Sequence, residues 1–199
     1  ILKETKVGEV LTGQKPVTVQ DEMSVVEASI VLAKAGVSSA PIQSKTGFLG
    51  MVDYADVAHL LIAGLRAQRS IDFSLGFEEQ LTTLLESGLG PGSSVKLAAD
   101  ISKTNPMVII AQHKTLEDAA RLMLERDLHR LCVVNELDVF IGIISLSDIL
   151  VVLKKHLDKV PNVDKTIEEC GLLTKKVITL PSDRLVLEAL ELMVDLKIS

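Results

Sequence analysis

Two stretches of this chain repeat one pattern. "KPVTVQDEMSVVEASIVLAKAGVSSAPIQSKTGFLGMVDYADVAHLL" runs from Lys15 to Leu61, and "NPMVIIAQHKTLEDAARLMLERDLHRLCVVNELDVFIGIISLSDILVVL" from Asn105 to Leu153. Their landmarks keep near-constant offsets: Pro16 to Pro106 is 90 positions, Ser24 to Thr115 and Ala28 to Ala119 are 91, and Phe48 to Phe140, Gly50 to Gly142 and Asp56 to Asp148 are 92. Two single-residue loop insertions account for the drift. A chain built this way folds as copies of one unit, so the unit is read first.

Each unit opens on a short β-rich piece ("VTV", "MVII") that leads to Ser24 or Thr115. An acidic residue follows three positions later ("SVVE", "TLED"), the pattern of a helix-capping box. The apolar stripe of the helix is Val25, Ala28, Leu32 and Ala35 in the first unit and Leu116, Ala119, Ala120, Met123 and Leu124 in the second. Those spacings fit one face of a period-3.6 helix, and Gly36 fits its stop. Two apolar runs follow, "API" then "FLGMV" and "LCVV" then "VFIGII", separated by polar turn residues as in a hairpin. A second helix starts at about Tyr54 and about Ser147. The fold class is therefore α/β (α+β), with the order β-α-β-β-α repeated in tandem.

A unit of about 55 residues makes a thin core, so two units are expected to pack as a pair with a cleft between them. The expected boundaries are repeat 1 at 1–65, a linker with a short helix at 66–96, repeat 2 at 97–156 and the start of a third repeat at 157–199. In "KKVITLPSDRLVLEALELMVDLKIS", Ala189 and Met193 continue a stripe with Val186, Leu190 and Val194, and Ser199 falls opposite His129. An opening half-repeat would expose its apolar helix face. The expectation is a longer protein with at least three, and by extension four, such units.

Repeats of this size ending in G-h-h-S-x-x-D (Gly142 to Asp148) resemble CBS domains, which associate in pairs and bind adenosine nucleotides in the cleft. More narrowly, "GVSSAPI" with "GFLGMVDYADV", "DLHRLCVV" and "TIEECGLLTKKVITLPSDRLVLEALELM" resemble the γ regulatory subunit of the AMP-activated/sucrose-non-fermenting protein kinases. The similarity spans about 170 residues. It implies a non-catalytic, energy-sensing regulatory module that takes AMP, ADP or ATP, with kinase catalytic and scaffold subunits as partners. It also implies a possible homodimer through CBS pairs. A regulator of a phosphatase or transporter, or a dimerisation scaffold with an empty cleft, is the alternative.

The chemistry of such a site can be placed on residues. A carboxylate accepts hydrogen bonds from both hydroxyls of a ribose diol, and Asp148 and Asp56 are positioned for this, with Ser145 adding a hydroxyl. "SLSD" and "DYAD" are equally helix N-cap sequences, so both roles stand. His129 and Arg130, just before "LCVV", supply donors suited to phosphate. The matching pair in the first unit is Ser38-Ser39, which carries no charge. Asp53 stands where the family has Ser or Thr and would repel a phosphate unless it turns away. The resemblance further implies a base wall of Lys15, Pro16, Val17, Val37 and Ala40 from the first unit and Asn105, Pro106 and Met107 from the second.

A net charge of −6 and a single Tyr with no Trp argue against a nucleic-acid surface. Cys132 and Cys170 lack metal-motif spacing, and His59, His113 and His156 lack ligand spacing, so no metal and no catalytic cofactor are expected. "GLGPG", Gly88 to Gly92, lacks the Lys-Ser/Thr ending of a phosphate loop, and no nucleophile motif is present; catalysis is not expected. No run is long enough to span a membrane and no signal-like start is seen, which implies a cytoplasmic protein, with the nucleus as a second location.

Overall fold

The computed structural model describes residues 1–11, 15–67, 93–172 and 177–198. The centre of the expected linker, the Gly88–Gly92 loop and Ser199 lie outside these. In the first repeat, β1 (Val19–Gln20), α2 (Val25–Ala35), β2 (Ser39–Ser44), β3 (Gly47–Asp53) and α3 (Tyr54–Ala67) follow a single turn, α1 (Val7–Val10). In the second, β4 (Ile109–Ala111), α4 (Leu116–Glu125), β5 (Arg130–Val134), β6 (Phe140–Ser145) and α5 (Leu146–Lys154) follow a 3-10 turn at Val95–Leu97. Helix α6 (Val186–Leu196) comes last. Each repeat forms a three-stranded sheet with one parallel and one antiparallel pair, β1-β2-β3 and β4-β5-β6. This is the mixed fold of two tandem repeats that the sequence pattern predicts.

Local chemistry sets the element ends. The Ser24 and Thr115 side chains accept from the backbone N–H of Glu27 and Asp118, whose carboxylates reach back to the N-cap N–H at 2.8 and 3.0 Å. Gly36 ends α2 in the left-handed region at φ 66°, donating its N–H to the carbonyls of Ala33 and Leu32. Val25, Ala28 and Leu32 face one core, and Leu116, Ala119 and Met123 the other. The stripes are narrower than the sequence suggests: Ala35 is exposed and Leu124 is 77% exposed. Leu124 sits one position, about 100°, past Met123, which already marks the edge of the buried face.

The segments leading into the repeats are exchanged. Val7 and Leu11 are buried in the core of the second repeat, held by Val7 N–H to Lys114 O and Gly8 N–H to Gln112 O, both 2.9 Å. Val95 and Ala98 are buried in the core of the first, with Val95 N–H donating to Met23 O at 2.9 Å. Between the repeats lies a third cluster of Met51, Cys132 and Phe140, flanked by Phe48, Met107 and Ile143. Phe48 meets its own counterpart Phe140 edge to face, with centroids 5.7 Å apart. Burial pushes the Cys132 thiol up to about 12, and its Sγ lies 3.4 Å from Met51 Sδ. Gly50 belongs to this seam: a Cβ there would come within 2.7 Å of Asp100 Oδ2.

Helix α6 packs on α3, with Leu187, Leu190 and Val194 against Leu61, Ile62 and Leu65. Leu187 therefore takes the half-buried place that the sequence pattern gives to Val186, which is exposed. No helix among the described residues is long and apolar enough to cross a membrane.

Candidate functional site

The hairpin of the second repeat brings its two polar motifs together. Arg130 on β5 is in register with Ser145 on β6, and the Leu146 N–H donates to His129 O at 3.0 Å. The start of α5 is thereby fixed beside the His-Arg pair. Ser145 caps α5: its N–H and Oγ donate to Asp148 Oδ2 at 2.8 and 2.6 Å, and its Oγ accepts from the Asp148 N–H at 3.4 Å. Asp148 Oδ1 carries no hydrogen bond among the described residues, so this half-buried carboxylate keeps one oxygen for a donor. The Ser145 hydroxyl, in contrast, is already engaged in the cap.

A cavity of about 980 Å³ opens in front of these groups. Seven residues singled out in the sequence line it: Lys15, Val17, Val37, His129, Arg130, Ser145 and Asp148. Ala35, Gly36, Ser38, Ser39, Ile143, Leu146 and Ser147 complete the wall. Of these, Ile143, Leu146 and Ser147 lie within the G-h-h-S-x-x-D motif and were open to recognition from it. The Arg130 guanidinium reaches across the repeats, donating from Nη1 to Ser38 Oγ at 3.0 Å and to Ser39 Oγ. The uncharged pair of the first repeat thus holds the cationic residue of the second in a fixed pose. Lys15 and Arg130 form the cationic part of the wall, His129 adds an imidazole and Asp148 an acceptor, and Val17, Val37 and Ile143 supply apolar surface. A ligand with an anionic end, a hydroxylated middle and an apolar plane matches that distribution.

Other expected residues lie elsewhere. Ala40 is fully buried in the first-repeat core, Pro16 is exposed and does not line the cavity, and Met107 packs in the seam between the repeats. Asn105 and Pro106 line a separate hollow of about 310 Å³ with Lys103, Arg126, Asp127 and Lys197. Asp56 is the main correction. It is only 2% exposed; Oδ2 accepts from the Asp53 N–H and Oδ1 from the Ser102 N–H, both at 2.9 Å. Burial pushes its carboxyl up to about 6, the Asp53 charge adding to this and the bonds to Ser102 opposing it. Both oxygens face backbone, so the side chain closes the chain around residue 102 instead of facing a ribose. Asp53 does turn inward, accepting from the Asp56 N–H at 3.0 Å and from Asn105 Nδ2 at 3.0 Å.

Among the described residues no group of His, Cys, Asp and Glu could hold a metal ion. His113 pairs with Glu136 at 3.2 Å, and His59 Nδ1 lies 2.9 Å from Ala55 O.

Comparison with known proteins agrees with this architecture. No curated protein matches the sequence. Solved structures do. Protein MJ1225 from Methanocaldococcus jannaschii, proposed to be an archaeal homolog of g-AMPK, aligns at TM-score 0.68 and 17% identity over 98% of this chain, which spans 64% of that one. CBSX2 in complex with AMP aligns at 0.53 and 23% identity, over 77% of this chain and 98% of that one. The CBS domain of the bacterial CNNM/CorC family Mg2+ transporter in complex with ATP aligns at 0.51 and 18%, over 75% and 87%. At these identities the likeness concerns the fold. The family model for the CBS domain matches residues 7–63 and 98–155, more than half of the chain and both repeats. This protein belongs to the CBS domain family.

Proposed function

We propose that the chain is a sensor of adenosine nucleotides that binds AMP, ADP or ATP in the 980 Å³ cavity and passes the binding on to a partner protein. One observation carries this reading: Asp148, with a carboxylate oxygen that has no partner among the described residues, and three basic side chains, Lys15, His129 and Arg130, line the same space. Asp148 accepts from the ribose hydroxyls, the apolar side chains flank the base, and the basic residues take the phosphates. AMP, ADP and ATP share base and ribose, so discrimination among them falls to Lys15, His129 and Arg130. Arg130 links the repeats through Ser38 and Ser39, so an anion that draws on its free donors biases how the repeats sit together. A partner with different affinity for the two arrangements reads that bias.

The partner we favour is the catalytic and scaffold machinery of an energy-sensing protein kinase, with this chain as the γ-type subunit in the cytoplasm. Similarity to the proposed g-AMPK homolog over nearly all of the chain supports it. A transporter regulator is the second reading, supported by the likeness to the CNNM/CorC CBS domain. Titration calorimetry with AMP, ADP, ATP and S-adenosylmethionine tests the ligand. Heat with the three nucleotides is expected, and its absence with all of them would remove the sensor reading. Affinity capture of the full-length protein decides between kinase subunits and a transporter.

A further inference from the structure

The cavity that holds Asp148 is assembled from residues 35–39 of one repeat and 129–130 with 143–148 of the other. Exchanging the repeats generates a counterpart from residues 126–130 on one side and 38–39 with 51–56 on the other. That counterpart exists, but divided. One hollow of about 320 Å³ has Ser38, Asp53, Ala55 and Arg130 in its wall, and the hollow of about 310 Å³ has Arg126, Asp127 and His129. Helix α6 and the residues after it complete both: Leu190, Met193, Val194 and Ile198 close the first, and Lys197 enters the second.

We propose that the counterpart cleft has been converted from a ligand site into the docking groove of α6, so that the chain binds one nucleotide and not two. The inference rests on the nucleotide reading of the Asp148 cavity for its stoichiometry and on packing alone for the groove. Three observations converge on it. The carboxylate that symmetry places in the counterpart, Asp56, spends both oxygens on backbone N–H groups. The dipeptide equivalent to His129-Arg130 is Ser38-Ser39, which serves to hold Arg130. The 320 Å³ hollow takes an apolar helix face, and the Arg66 guanidinium clasps both oxygens of Asp195 at 2.9 and 3.0 Å to fix the register. The cores of the two repeats contain no residue of α6, so the helix can leave its groove with both repeats intact.

The test uses the whole chain and its Leu190→Asp variant, which puts a charge on the docked face. Hydrogen exchange is expected to show α6 amides protected in the wild type and at least about tenfold less protected in the variant, with β2 and β5 unchanged in both. Calorimetry with AMP should give one equivalent for the wild type and still one for the variant. Two equivalents in the wild type would show the counterpart cleft open, and a second equivalent only in the variant would make α6 a plug over a working nucleotide site; either overturns the conversion. Unprotected α6 amides in the wild type overturn the docking. If neither protein takes AMP while α6 protection is lost in the variant, the nucleotide reading of the Asp148 cavity falls and the groove stands. Met193→Asp repeats the test should Leu190→Asp disturb folding.

Discussion

Asp56 and Asp148 occupy the same place in two copies of one motif, at the third position of the helix that follows the hairpin, and they do different work. Each returns an oxygen to the N–H of the residue three before it. Asp148 lines a cavity and its Oδ1 has no partner among the described residues, whereas Asp56 spends Oδ1 on the Ser102 N–H and is sealed. Their own repeats do not make the difference. It comes from what packs over each: the segment around Ser102 crosses Asp56, whereas among the described residues no backbone N–H reaches Asp148 Oδ1. An acid at a helix start can therefore be a cap alone or a cap with spare bonding capacity, and the second kind can serve a ligand.

The largest expected effect lies on the sealed side. Asp56→Ala leaves two buried N–H groups without acceptors and should lower stability by about 2–4 kcal/mol, read by denaturant unfolding, with AMP affinity unchanged in the folded fraction. The same carboxyl gives a pH signature. Its folded value, about 6, lies above the ordinary 3.8, so folding takes up a proton between those values, and this group's contribution to stability grows as pH falls through that window. The wild type should show this rise and Asp56→Ala should lack it, while a flat wild-type profile would place the Asp56 proton differently.

On the open side, Asp148→Ala should weaken adenosine and AMP alike by about 1.5–3 kcal/mol through loss of charge-assisted bonds to the ribose, with a smaller cap penalty in stability. Unchanged affinity would reduce Asp148 to a cap and erase the contrast. Arg130→Gln sharpens it further. AMP should lose about 1–2 kcal/mol, since Lys15 and His129 remain, and adenosine almost nothing. Equal losses for the two ligands would make Arg130 a strut between the repeats. The smallest effect belongs to the seam where the copies meet as equals: a double-mutant cycle of Phe48→Leu and Phe140→Leu should give a coupling of about 0.5–1.5 kcal/mol.

Much of this was legible in the sequence because it is local. The capping boxes at Ser24, Thr115 and Ser145, the glycine stop at Gly36 and the hairpins depend on residues three to a dozen apart, and the repeat offsets supply their pairing. The Asp148, His129 and Arg130 cluster was legible for the same reason, since one hairpin brings those residues into register. Asp56 was misplaced because its second partner is 46 positions away, at a backbone N–H that carries no side-chain signal. Leu190 and Val194 of the expected α6 stripe do pack on α3, but its first member was misassigned by one position because Val186 and Leu187 are equally apolar, and only contact with α3 decides between them. Ala40 failed as a wall residue because alternation along β2 cannot say which face meets a neighbour.

The exchange of lead-in segments reaches beyond the site. The stretch that was duplicated and the stretch that packs are out of phase: α1 precedes the first copy yet completes the second, and the turn at Val95–Leu97 precedes the second copy yet completes the first. The first copy is finished only by the lead-in of the second, and the second only by the segment ahead of the first, so the two should cross the folding barrier together, in one transition with no half-folded species. The closing contacts are distant in sequence, Val7 to Lys114 and Met23 to Val95, which raises the contact order and slows that shared step. A cut between the copies would separate each from its own keystone, and the genetic unit of the repeat is therefore not its unit of stability.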